Sequence, residues 1–149
     1  MNITIPKIIP EYKVSLVREK SYNLKQVSSS LDVGRVLAHI LPSDLDREHF
    51  VMLGLNNANK IIGAVKCAIG GIASLSMVAA DILRPAIVMG ANGIILSHNH
   101  LSGDCSPSNE DIQFTAKIKE ACKVVGINLL DHVIVSDNQH YSFVDMAIL

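Results

Sequence analysis

The stretch Leu96–Ile112, which reads LSHNHLSGDCSPSNEDI, decides the fold because it holds a strand end, a turn and a helix start. The apolar run Ile94–Leu96 predicts a strand that leads into it. Ser102–Gly103 then turns the chain. Residues Ser108–Val125 show helical spacing, and Ser108 is suited to the N-cap. A strand that leads into a long helix is typical of a sheet flanked by helices.

The same stretch contains a predicted metal site. His98 and His100 are the only two of the six histidines separated by a single residue. If the strand stays extended, its period of two sends both imidazoles to one side. Asp111, three residues after the predicted N-cap, then points back toward the loop. Two imidazoles and one carboxylate are a standard catalytic zinc set with one position left for water. The plain alternative is two loop histidines bonded to backbone or water and an acid favoured by the helix dipole.

The rest of the chain alternates strand and helix patterns. These patterns predict an edge strand over Tyr12–Arg18, a helix over Leu31–Ile40, hairpin strands over Glu48–Asn56 and Lys60–Ile69, a helix from Ser74 or Ser76 toward Met89 that kinks or divides at Pro85, and strands over His132–Ser136 and His140–Val144 around an Asp137–Asn138 turn. We therefore expect a single α/β (α+β) domain over residues 1–149, with a mixed sheet flanked by helices.

Composition limits the classes of function. No apolar run approaches the roughly 18–20 residues that cross a bilayer, so we expect a soluble protein without a membrane partner. The N-terminus has no signal-peptide pattern, and three cysteines without a CxxC pair favour a reducing cytoplasm. The net charge of −1 leaves no basic footprint for strong non-specific nucleic-acid binding.

A hydrolytic metal site also needs a proton acceptor besides the ligands. Glu48 is the candidate, since it opens the most apolar strand in the chain and an acid there needs an energetic reason. The alternative is an acid at a strand end on the surface, paired with Arg47.

These residues resemble a known family. The run His98–Asp111, HNHLSGDCSPSNED, is similar to the JAMM motif of MPN-domain zinc hydrolases: Glu, then His-x-His, then Ser-x-x-Asp. Within that superfamily it most resembles bacterial RadC-like proteins, whose C-terminal domain carries HNHPSGD and then LDH, here Leu130–His132. Arg47–Phe50 resembles the RadC strand that bears the glutamate. The resemblance runs roughly from Leu31 to Phe143 and implies an MPN/JAMM-like, cytidine-deaminase-like fold.

The resemblance also implies roles for individual residues. His98, His100 and Asp111 match the ligands of one Zn²⁺ per chain, and Glu48 matches the general acid/base. Ser108 matches the serine that helps to stabilise the oxyanion, although it also fits a simple N-cap. The implied activity is that of a metallopeptidase in which zinc-bound water attacks an amide carbonyl, with a peptide or isopeptide as substrate.

Other interpretations stay open at this point. Leu101 replaces a proline usual in the family, which predicts a less rigid loop. Cys105 is either a further zinc ligand or a free loop cysteine, and His132 and His140 are predicted to be structural. We expect the N-terminal helix-hairpin-helix module usual in this family to be missing, which weakens the inherited case for DNA association. The alternative function is a non-catalytic zinc-containing scaffold linked to DNA repair or mobile elements, with a nuclease as a third possibility. The sequence indicates no particular oligomeric state.

Overall fold

The computed structural model describes residues 13, 27–41, 46–70, 77–136 and 139–149. Along these residues the elements are α1 (Ser30–Ile40), β1 (His49–Leu55), β2 (Ile61–Ile69), α2 (Ala79–Met89), β3 (Gly93–Asn99), α3 (Asn109–Val125), β4 (Asn128–Ser136) and β5 (Gln139–Ser142). The predicted Tyr12–Arg18 strand, apart from Lys13, and the predicted Asp137–Asn138 turn lie outside the described residues.

The five strands form one mixed sheet in the order β2-β1-β3-β4-β5. Strand β1 pairs antiparallel with both β2 and β3, β3 pairs parallel with β4, and β4 pairs antiparallel with β5. The sheet and the three helices form the α+β fold that the sequence predicted.

The turn of the β1–β2 hairpin is organised by Asn56. Its side-chain oxygen accepts hydrogen bonds from the backbone N–H groups of Ala58 and Lys60, each at 3.0 Å. An asparagine that bonds the backbone two residues ahead is a standard turn device. The predicted hairpin is therefore confirmed.

Strands β1 and β3 are buried over their full length because helices cover both faces of the sheet. One face packs against α2 and α3 and carries Phe50, Met52, Ile94 and Leu96. The opposite face packs against α1 and carries Val51, Leu53, Ile95 and Val133. Two covered faces explain why these strands are apolar without alternation.

Helix α2 differs from its prediction. It begins at Ala79 with Val78 as N-cap, instead of the predicted Ser74 or Ser76, which lie outside the described residues. The Asp81 carboxylate accepts a hydrogen bond from the backbone N–H of Val78 at 3.0 Å, which is the acid half of a capping box, so the helix begins without a serine at its N-cap. Pro85 lies inside one continuous helix. The predicted alternative of two shorter helices is wrong, since the buried residues on either side of the proline, Leu83 and Ala86, anchor both halves in one core, and the alternative of a kink at Pro85 stays a prediction.

The connection from β3 through α3 to β4 positions the site. Because β3 and β4 are parallel, α3 crosses back over the sheet, and its N-terminus lies near the carboxyl end of β3. Open α/β sheets place ligands at this end of their strands. Among the described helices, none is long and apolar enough to cross a membrane.

Candidate metal centre

The two histidines converge as their spacing predicted. His98 is the penultimate residue of β3, and His100 follows the strand directly. Their Nε2 atoms lie 2.9 Å apart. The ring of Phe50 stacks on the His98 ring, with centroids 5.6 Å apart and planes 14° apart. This packing holds the His98 imidazole in one orientation, and its side chain is almost fully buried.

Asp111 joins them from the first turn of α3. Its Oδ1 lies 3.2 Å from His98 Nε2, and its Oδ2 lies 3.6 Å from His100 Nε2. Candidate ligand atoms of the three residues all lie within 4.8 Å of one another, and this is the group among the described residues that could hold a metal ion. The predicted ligand set is therefore brought together from a strand end, a loop and a helix start.

Ser108 fixes the Asp111 carboxylate. The backbone N–H and the hydroxyl of Ser108 donate to Asp111 Oδ2 at 2.8 and 2.6 Å, and the Asp111 N–H donates back to Ser108 Oγ at 3.1 Å. This reciprocal pair is a capping box with aspartate in place of glutamate. The predicted N-cap is confirmed. To act on an oxyanion, the Ser108 hydroxyl would have to turn away from Asp111, so its catalytic role stays a prediction.

The charge of the site is set by its hydrogen bonds. Burial raises the pKa of Asp111, but the hydrogen bond and charge of His98 and the bonds from Ser108 outweigh it, so the net shift is downward. The carboxylate is thus ionised at neutral pH. His100 Nδ1 lies 2.8 Å from the carbonyl oxygen of Asp104, which accepts only, so Nδ1 carries a proton and the neutral form of this ring has its lone pair on Nε2. A lone pair and a carboxylate that face one point favour a cation there.

The residues present fit zinc by their chemistry. Imidazole nitrogens and a carboxylate oxygen are the ligand types that Zn²⁺ takes in catalytic sites with three protein ligands. His98 is also backed by a polar partner, His132, whose Nε2 lies 3.0 Å from His98 Nδ1. Metal-binding histidines usually have such a partner on their second nitrogen.

Glu48 directly precedes β1 and is half-buried. Phe50, two residues after Glu48, is the first residue of β1 that pairs with β3, and it lies opposite His98. Glu48 lies outside the three-residue ligand group, as a proton acceptor should, and its role as acid/base stays a prediction.

Asn99 holds the backbone on both sides of Glu48. Its Oδ1 accepts the His49 N–H at 2.6 Å, and its Nδ2 donates to the Arg47 carbonyl at 3.2 Å. The Glu48 carbonyl accepts from the Gly70 N–H at 2.7 Å. Asn99, which stands between the two candidate ligand histidines, therefore ties the segment of the predicted acid/base to the candidate metal centre.

Cys105 lies outside the ligand group. Its side chain is buried with Ile134 and Phe143, and its Sγ lies 3.2 Å from Ser136 Oγ. The free-cysteine interpretation fits this position, and the zinc-ligand alternative does not. Ser136 also donates to the Gly103 carbonyl at 2.9 Å, so β4 anchors the loop that contains Leu101. Leu101 itself is 53% exposed.

The contact between His132 and His98 was not predicted from the sequence. His132 is fully buried in β4 and touches His98, although the sequence prediction treated it as an ordinary structural histidine. The available signal was a histidine inside the apolar strand Leu129–Val135, within the Leu-Asp-His motif. A buried ring with two polar nitrogens needs partners, and here one partner is the candidate ligand His98.

The α+β fold and the His-His-Asp group together define a domain with a candidate metal site. The family described as RadC-like JAB domain matches residues 27–148, so the chain belongs to that family. The chain is 38% identical to a UPF0758 protein of Flavobacterium johnsoniae over 130 residues, which are 87% of this chain and 56% of that protein. It is 41% identical over 106 residues to a UPF0758 protein of Aquifex aeolicus, covering 71% of this chain and 46% of the relative. The chain thus spans about half the length of these relatives.

Proposed function

We propose that the protein is a zinc-dependent hydrolase that cleaves an amide or isopeptide bond in a peptide substrate. The observation that carries the proposal is the convergence of His98 Nε2, His100 Nε2 and the Asp111 carboxylate within a few ångströms. Membership in the RadC-like JAB domain family supports the hydrolase class. Zinc held by these ligands would supply Lewis-acid activation of a water molecule and of the scissile carbonyl.

We assign the proton transfers of this reaction to Glu48. Hydrolysis of an amide adds water across the C–N bond, so a proton must leave the attacking water and a proton must reach the departing nitrogen. The Glu48 carboxylate accepts the first proton and returns it to the nitrogen as the bond breaks. The products are then a carboxylic acid and an amine, and the Glu48 carboxylate is regenerated.

The ligand and cap residues supply orientation. Asp111 is held by three hydrogen bonds with Ser108, so its carboxylate does not have to be ordered when the metal binds. The Asn99 contacts hold the chain at Glu48 against the end of β3. Such preorganisation raises the rate, because the reacting groups are already close together.

The first test is metal content and turnover. Protein purified without added metal should carry about one equivalent of divalent metal, and a chelator should remove both the metal and the activity. A panel of peptide, isopeptide and nucleic-acid substrates is then screened with wild type and Glu48→Gln. We expect Glu48→Gln to keep the metal and to lose at least about 100-fold in kcat.

Glu110→Gln is the matched control. Glu110 is an exposed glutamate beside the ligand Asp111, and the same substitution there should leave both metal and turnover unchanged. Full turnover by Glu48→Gln would remove Glu48 from the mechanism. Cleavage of nucleic acid alone would replace the peptidase by a nuclease. Salt-dependent binding of duplex DNA by a catalytically silent protein would favour the scaffold alternative.

A further inference from the structure

The candidate ligand histidines and the predicted acid/base are anchored to different strands. Strand β3 pairs with β4 as far as Asn99, which lies opposite Val135, and the His100 N–H donates to the Val135 carbonyl at 2.9 Å. The histidines are therefore held from the β4 side. Strand β3 pairs with β1 only as far as His98, so the backbone ladder between these two described strands ends before it reaches Glu48.

The Asn99 side chain spans the gap that this ladder leaves. Its Oδ1 accepts the His49 N–H at 2.6 Å, and its Nδ2 donates to the Arg47 carbonyl at 3.2 Å. A backbone N–H only donates and a carbonyl oxygen only accepts, so these partners fix which end of the carboxamide is oxygen. The carboxamide thus binds the two peptide groups on either side of Glu48, as a neighbouring strand would. We call these two bonds the Asn99 bridge.

The backbone of Glu48 is also held from the other side. Its carbonyl oxygen accepts the Gly70 N–H at 2.7 Å, which ties it to the end of β2. Asn99 is 5% exposed, so water does not readily replace the two bonds of the bridge. Loss of the carboxamide would therefore leave Glu48 attached on the β2 side alone.

A purely structural role for Asn99 would be to satisfy two backbone groups at a strand end. Loss of such a role weakens the fold and affects metal binding and turnover together. The position of Asn99 between the two candidate ligands points to a narrower effect. The histidines keep their anchor on β4 without the bridge, whereas Glu48 loses its link to them.

We propose that Asn99 is a positioning residue that holds Glu48 at a fixed place beside the metal ligands, and so sets kcat without contributing to metal affinity. The kinetic part of this proposal rests on the proposed function, whereas the bridge itself does not. Asn99 touches neither substrate nor metal in this account and acts through Glu48.

The first test is a double-mutant cycle in the full chain. Asn99→Ala should lower kcat about 10–100-fold, because a displacement of about 1 Å near the reacting groups costs up to about 100-fold. The KM and the zinc affinity, measured by chelator competition, should stay within about 3-fold of wild type. In the Glu48→Gln background, Asn99→Ala should lower kcat by less than about 3-fold more, because no working acid/base is left to position.

Equal losses of kcat in both backgrounds would overturn the proposal, and so would a zinc affinity that falls as much as kcat. Asn99→Leu is the second variant, since leucine fills nearly the same space but forms neither bond of the bridge. It should lose as much kcat as Asn99→Ala, and full turnover by a folded Asn99→Leu protein would contradict the proposal. Asn128→Ala is the matched control. Asn128 is exposed at the start of β4, away from the site, so neither kcat nor zinc affinity should change.

Hydrogen exchange of the His49 N–H is a readout that does not depend on turnover. This proton should exchange slowly in wild type and at least about 10-fold faster in Asn99→Leu, while the His100 N–H keeps its protection. A wild type in which the His49 N–H exchanges freely overturns the bridge, even if the protein proves to be a zinc hydrolase and neither variant folds. Conversely, a wild type that cleaves no substrate but shows the slow His49 proton supports the bridge and contradicts the proposed function.

Discussion

Two clusters in this molecule combine a hydroxyl, a histidine and an aspartate, and they differ in burial. The buried cluster consists of His98, Asp111, Thr115 and His132, at the end of β3 and the start of α3. The exposed cluster consists of Ser30, His140 and Asp145, where α1 meets β5 and the turn after it.

The exposed cluster has the residue types of a nucleophile site but not the arrangement. The Ser30 hydroxyl donates to Asp145 Oδ2 at 2.6 Å, and His140 Nε2 lies 3.0 Å from the same hydroxyl oxygen. Because the serine proton goes to the aspartate, the histidine is the donor and does not act as a base toward serine. The cluster ties the first residue of α1 to the C-terminal part of the sheet.

Burial explains the difference between the clusters. In the exposed cluster, water can replace any partner that is lost, so no single proton position is imposed. In the buried cluster, water does not reach the polar atoms, so each depends on its protein partner; Thr115 Oγ1, for example, lies 2.6 Å from both the Asp111 carbonyl oxygen and His132 Nδ1. The same residue types therefore form a surface contact in one place and a candidate metal centre in the other.

The largest expected effect is on zinc affinity, which should depend on the buried cluster and not on the exposed cluster. Asp111→Asn removes a charged ligand while it keeps the shape of the side chain. We expect zinc affinity to fall by more than about 100-fold, beyond the 10–100-fold typical when only a partner of a ligand is lost. The measurement is a chelator competition titration. Asp145→Asn in the exposed cluster is the control and should leave the affinity unchanged; equal losses in both variants would contradict the comparison.

A smaller effect concerns the start of α1, next to the exposed cluster. The side-chain hydrogen bond from Ser28, its backbone N–H and the Ser29 hydroxyl lower the pKa of Asp32 to about 2. Because the folded pKa lies below the unfolded value, ionised Asp32 stabilises the protein above pH about 4, and this stabilisation disappears as the pH falls toward 2.

The variant Asp32→Asn should lose this part of the acid dependence. Denaturant unfolding at a series of acidic pH values should show wild type and variant converging as the pH falls, with the variant less stable at neutral pH. Curves that stay parallel over the whole range would show that the Asp32 carboxylate does not stabilise α1. Zinc affinity at neutral pH should not change.

The smallest effect is expected at the centre of the exposed cluster. Ser30→Ala leaves His140 and Asp145 to bond water, so the free energy of unfolding should change by less than about 1 kcal/mol. Thermal and denaturant unfolding provide the measurement. A loss of several kcal/mol would show that the exposed contact stabilises the protein as strongly as a buried one. That result would contradict the comparison of the two clusters.

Local patterns predicted most of the elements. The apolar runs predicted β1 and β3 because helices cover both faces of these strands, and Ser108 predicted the start of α3 because a cap acts within one turn. The prediction failed at the start of α2, where the Asp81 carboxylate binds the N–H of the N-cap residue Val78 and no serine cap is present, and at Pro85, where packing of both halves keeps one helix.

The convergence of His98, His100 and Asp111, the candidate metal ligands, was predictable from the sequence because their spacing depends only on the strand period and on one helix turn. The side chains that contact these residues could not be predicted from the sequence. His132 comes from the neighbouring strand β4, and Thr115 reaches it from the second turn of α3. Only the tertiary structure decided which side chains surround His98, because other elements of the fold bring His132 to it and Thr115 to His132.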